Sequence, residues 1–72
     1  MNFVNFSWED KAGEQGVLEI YNAIGQLVFS ETFDSIPEGA YRINVADFLK
    51  GSYYMMVRVK GEAAKSRQFI KL

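Results

Sequence analysis

Apolar residues recur at every second position along most of the chain. In residues 2–8, Val4, Phe6 and Trp8 fall on one side and Asn5 and Ser7 on the other. That alternation is the signature of a strand with one buried face. Residues 9–16 are polar, contain two glycines and read as a loop. In residues 17–21, Leu18 and Ile20 share one face and Val17, Glu19 and Tyr21 the other. A turn at residues 22–26 leads into residues 27–33, where Leu27, Phe29 and Phe33 oppose Val28, Ser30 and Thr32. The short connection predicts a hairpin with a bulge or a three- to five-residue loop.

The alternation resumes after a longer connection, residues 34–39, whose Pro37 cannot serve inside a central strand. Tyr41, Ile43 and Val45 alternate with Arg42 and Asn44. Residues 47–51 break the pattern and predict one helical turn or a tight loop. Residues 52–60 give the clearest strand, with Tyr53, Met55, Val57 and Val59 on one face and Tyr54, Met56, Arg58 and Lys60 on the other. Residues 61–64 turn the chain into a last strand, residues 65–72. There Ser66, Gln68, Ile70 and Leu72 oppose Lys65, Arg67, Phe69 and Lys71. No segment sustains a period of 3.6. The expected fold is all-β: a small antiparallel β-sandwich, immunoglobulin-like, of about six to seven strands.

Composition narrows the function. With 72 residues, 49% of them hydrophobic, the chain makes one domain, residues 1–72, with a marginal core. It has no cysteine and no histidine. That excludes disulfides, thiolate metal sites, cysteine nucleophiles and histidine-based triads. No apolar run approaches the roughly 20 residues of a membrane helix. The opening residues lack the charge and apolar core of a signal peptide, so export would need a first address elsewhere in a larger chain.

The net charge of -1 hides a split. Residues 1–40 carry seven acids and one base, and residues 41–72 two acids and seven bases, giving -6 and +5. Such a split marks either an interaction surface or strands that neutralise one another.

Little in the chain suggests catalysis. The carboxylate pairs Glu9-Asp10 and Asp34/Glu38 lie in polar loops, where solvated acids are the default. No calcium-loop spacing is present, and no cofactor or metal is expected. Tyr54, Arg58, Lys60, Arg67 and Phe69 would be needed for a nucleic-acid face, but aromatic residues are simply good strand formers. No nucleic-acid partner is expected, and the reading is of a protein that is not an enzyme.

Three blocks, in order, point to a family. Residues 17–28 run as an alternating strand into the small turn Asn22-Ala23-Ile24, then Gly25, Gln26 and apolar Leu27-Val28. Residues 43–54 lead through a short apolar turn into Gly51-Ser52-Tyr53. Residues 65–72 close with a basic-apolar alternation and the near-terminal Lys71. Together they resemble the type IX secretion C-terminal sorting domain of Bacteroidota, also called the Por secretion system sorting domain. The chain lacks the Asn-Pro motif with which many members begin: either this member diverges there, or the family's first strand is missing, which would leave one sheet edge open to edge-strand self-association.

The resemblance implies a non-catalytic secretion signal. Such a domain follows an upstream cargo in the same chain. It directs that cargo through the outer membrane by the type IX translocon. A sortase-like surface protease then usually removes it. The protein would be exported, crossing the periplasm to the cell surface or medium. Gly25, Gly51 and Tyr53 are the motif's structural residues. The candidate recognition residues are Lys65, Arg67, Phe69, Ile70, Lys71 and Leu72, with Lys65, Arg67 and Lys71 expected as an outward basic row. The alternative is an immunoglobulin-like accessory module of a surface or secreted protein, binding carbohydrate or protein through an aromatic platform such as Trp8, Tyr21 or Tyr54.

Overall fold

The alternating segments form six strands in the computed structural model, which describes residues 2–72. They are β1 (Phe3–Ser7), β2 (Gly16–Asn22), β3 (Leu27–Phe33), β4 (Ala40–Asn44), β5 (Gly51–Val59) and β6 (Lys65–Lys71). One 3-10 turn, Glu9–Lys11, interrupts the loop after β1. The strands make two antiparallel sheets. β1 pairs with β4, and the other four lie in the order β3-β2-β5-β6. The expected all-β antiparallel sandwich is what the chain adopts.

The core follows from the period of two, because residues two apart on a strand share a face. β2 contributes Leu18 and Ile20, and β5 contributes Tyr53, Met55, Val57 and Val59. The smaller sheet supplies Ile43, with Val45 and Trp8 just beyond its strand ends. Aromatic edges tie the sheets together. The Trp8 ring meets Phe6 at 5.3 Å and Phe33 at 5.5 Å, and Phe33 meets Tyr41 at 5.0 Å, all edge to face. Such pairs are worth about 0.5–1.5 kcal/mol beyond the area they bury.

Two features depart from simple alternation. Ile36 lies in a connection yet is fully buried. It can be, because its backbone is paired: its N–H donates to the Glu14 carbonyl at 2.8 Å and its carbonyl accepts from Gly13 at 2.8 Å. The second is a bulge between Ile20 and Tyr21, which sets Leu27 opposite Tyr21. Directly opposed residues share a face. Leu27 therefore leaves the inward row of Phe29 and Phe33 where alternation placed it, and it is exposed.

Candidate functional site

The β2–β3 turn is fastened by one side chain. Asn22 Oδ1 accepts from the Ile24 and Gln26 amides at 3.2 and 2.9 Å, and Asn22 Nδ2 donates to Gln26 Oε1 at 2.9 Å. The Gly25 amide donates to the Asn22 carbonyl at 3.0 Å, with Gly25 at φ 84°, which glycine adopts without steric cost. The Asn22, Gly25 and Gln26 of the first sequence block are thus one hydrogen-bonded unit.

The second block has an equally local cause. Gly51 takes φ 145° as the chain enters β5. Two residues on, the Tyr53 hydroxyl donates to the Leu49 carbonyl at 2.5 Å and holds the preceding turn. The buried Tyr53 ring lies against Phe48 at 5.1 Å and stacks on Phe69 at 5.3 Å. Tyr53 therefore joins the turn, β5 and β6 in one contact. Phe48 and Asn22 carry this geometry; the sequence reading placed Asn22 in its turn but gave Phe48 no role. Their position beside the motif glycines was the available signal.

The β5–β6 register decides where the candidate recognition residues point. Lys65 is opposite Val57, Arg67 opposite Met55, Phe69 opposite Tyr53 and Lys71 opposite Gly51. Val57, Met55 and Tyr53 face the core, so Lys65, Arg67, Phe69 and Lys71 lie on the inner face. The expected outward basic row is corrected. Lys71 is 7% exposed, whereas Ile70 and Leu72 are 54% and 78% exposed. Lys65 and Arg67 stay solvated despite facing inward, because they border a cleft of about 400 Å³ that also takes in Phe6, Trp8, Lys11 and Val57. Inward charges on an edge strand discourage unplanned pairing.

Electrostatics at this cleft are local. Lys11 Nζ pairs with Glu62 Oε2 at 2.5 Å. The Glu62 hydrogen bond, outweighing partial desolvation, raises the Lys11 pKa above its ordinary value. Lys11 is the one base of residues 1–40 and Glu62 one of two acids in residues 41–72. The pair thus joins the minority charge of each half. The Trp8 indole N–H is buried without a hydrogen-bond partner among the described residues.

The other candidates separate in space. Trp8 is a core residue and forms no platform, while Tyr21 and Tyr54 sit opposite each other on the outer face of β2 and β5. Tyr54 and Arg58 share that outer face, whereas Arg67 and Phe69 lie on the inner one, so the basic-aromatic set is divided between two surfaces. The Glu9 side chain lies outside the described residues. Among those described, no group of three acids is placed to hold a metal ion, and no helix is long and apolar enough to cross a membrane.

No curated protein and no solved structure matches the chain. A family model, the secretion system C-terminal sorting domain, matches residues 1–71. With its turn, its Gly51-Tyr53 anchor and its closing strand in place, the chain belongs to the family of C-terminal sorting domains that act as signals for type IX secretion.

Proposed function

We propose that residues 1–72 act as one folded, non-catalytic tag whose β5–β6 hairpin is read by the type IX translocon. A type IX sorting domain belongs to a protein secreted across the outer membrane and works for an upstream cargo region. The recognition residues on this reading are Lys65, Arg67, Phe69, Ile70, Lys71 and Leu72, in two roles. Phe69 and Lys71 seat the strand against the fold. Lys65, Arg67, Ile70 and Leu72 meet the partner. The tag passes through the periplasm with its cargo. A sortase-like surface protease then removes it, leaving the cargo at the cell surface or in the medium.

The family match over residues 1–71 carries the sorting role. The exposure of Ile70 and Leu72 supports the choice of face. These two large apolar side chains contribute little to the core, and the solvated Lys65 and Arg67 lie on the other face of the same strand, so a protein that takes hold of this edge strand meets apolar residues on one face and cations on the other.

The test is a reporter fused to residues 1–72 in a type IX-competent bacterium, with Ile70→Asn and Leu72→Asn together. Exposed positions change stability by no more than about 0.5 kcal/mol, so the variant is expected to fold. The parent fusion should reach the medium or cell surface, and the variant should stay in the periplasm. Export of the folded variant at the parent level would overturn this choice of face. Retention of the parent fusion would overturn the sorting role of the tag.

A further inference from the structure

The four-stranded sheet ends in two unlike edges, β3 and β6, each seven residues long. Backbone groups in an antiparallel ladder point alternately to one neighbour and the other. The Lys60 amide donates to the Gln15 carbonyl and the Asn22 amide to Gln26. In β2, odd-numbered residues therefore bond toward β5 and even-numbered ones toward β3. Carrying this through the registers directs the amides and carbonyls of Ser30 and Thr32 on β3, and of Ser66, Gln68 and Ile70 on β6, out of the sheet. All five residues are exposed. The strand directions alternate across the sheet, so a β3 placed beside a β6 from another copy runs antiparallel to it.

We propose that this chain associates with further copies of itself by adding β3 of one copy to β6 of the next. The full-overlap register sets Ser30 opposite Gln68 and Thr32 opposite Ser66, so outward-directed backbone groups meet outward-directed backbone groups. The side chains at the other positions match in chemistry. Glu31 falls opposite Arg67, Phe29 opposite Phe69 and Val28 opposite Ile70. Val28 and Ile70 are both exposed apolar residues that would cover each other.

Charge selects this contact over the symmetric ones. Two β6 edges paired over their full length would set Lys65 against Lys71 twice. Like charges directly opposite are destabilising. Two β3 edges paired over their full length would set Glu31 against Phe29, with no charge pair to favour the contact. The edges carry part of the -6/+5 division: β3 holds one acid, Glu31, and β6 three bases, Lys65, Arg67 and Lys71. Because the contact is head to tail, each added copy leaves one edge of each kind open, and the sheet continues to grow.

Sedimentation velocity on the purified 72-residue chain over a concentration series tests this contact. The weight-average mass is expected to rise with concentration and pass beyond the dimer. Glu31→Arg and Arg67→Glu should each weaken association about tenfold or more, since a favourable cross-strand charge pair becomes a repulsive one. An equimolar mixture of the two variants should restore it, because each edge again meets its opposite. Gln68→Pro removes an outward-directed amide without touching the β5 ladder and should also stop growth, with circular dichroism confirming that each variant is folded. A chain monomeric at every concentration would overturn the proposal. So would association that ends at a dimer, or that neither charge reversal weakens. The measurement involves no secretion machinery, so its failure leaves the sorting role untouched.

Discussion

β5 and β6 form one hairpin with one register, yet their inner faces differ in kind. On β5 the inward row is Tyr53, Met55, Val57 and Val59, all buried. On β6 the residues directly opposite the first three are Phe69, Arg67 and Lys65, of which only Phe69 packs against the core. The difference comes from what lies across the sandwich. Two strands face four, and they cover the middle of the larger sheet better than its margin. At this margin Lys65 and Arg67 face inward and stay solvated, while Lys71 at the end of the strand is inward, charged and buried.

The sharpest way to break this comparison is to truncate two residues that face each other. Met55→Ala is expected to cost about 2–5 kcal/mol, the range for a buried large-to-small change. Arg67→Ala, opposite it in the same ladder, is expected to stay within about 0.5 kcal/mol. Urea midpoints of the two variants give both numbers. Equal losses would mean that β6 is part of the core. A smaller effect tests how the two strands are joined. Tyr53→Phe keeps the ring stack on Phe69 and removes the hydroxyl bond to Leu49, for an expected loss of about 0.5–1.5 kcal/mol by the same measurement.

The smallest effect is alkaline. The bond to Glu62 raises the Lys11 pKa, and burial together with the Glu31 hydrogen bond raises that of Tyr41. Both groups hold their protons more tightly folded than unfolded. Their contribution is complete below about pH 10 and is lost as pH rises through the raised values. Thermal midpoints should therefore fall above about pH 10, and the fall should shrink in a Lys11→Met, Tyr41→Phe double variant.

These contrasts also explain what was legible beforehand. The rows Val4-Phe6, Leu18-Ile20, Ile43-Val45 and Met55-Val57-Val59 could be read because each alternates a buried or half-buried apolar residue with a more exposed one. β6 offered no such contrast. One of its faces held three cations and the other Ile70 and Leu72, so polarity argued for the wrong side. What decides is the pairing of Arg67 with Met55, which local pattern does not contain. Leu27 was misplaced by a single bulge, which reverses every parity beyond it. Ile36 was hidden because its burial rests on backbone bonds to Gly13 and Glu14, two strands away along the chain. The motif residues Gly25, Gly51 and Tyr53 were visible. Asn22 was visible as a turn residue, but its three hydrogen bonds, and the contact of Phe48 with Tyr53, follow only from the folded geometry.

The place of β2 at the centre of its sheet has a kinetic side. Its pairing with β3 closes within a few residues. Its pairing with β5 joins Asn22 to Tyr53 and Gly16 to Val59, spans of 31 and 43 residues. Contacts so distant along the chain bear the entropy of loop closure before they return any stability, and folds dominated by them form in milliseconds to seconds. The middle of this sheet is therefore a late event in folding, and the β2–β3 hairpin must wait, half-finished, for a strand whose residues lie far behind it.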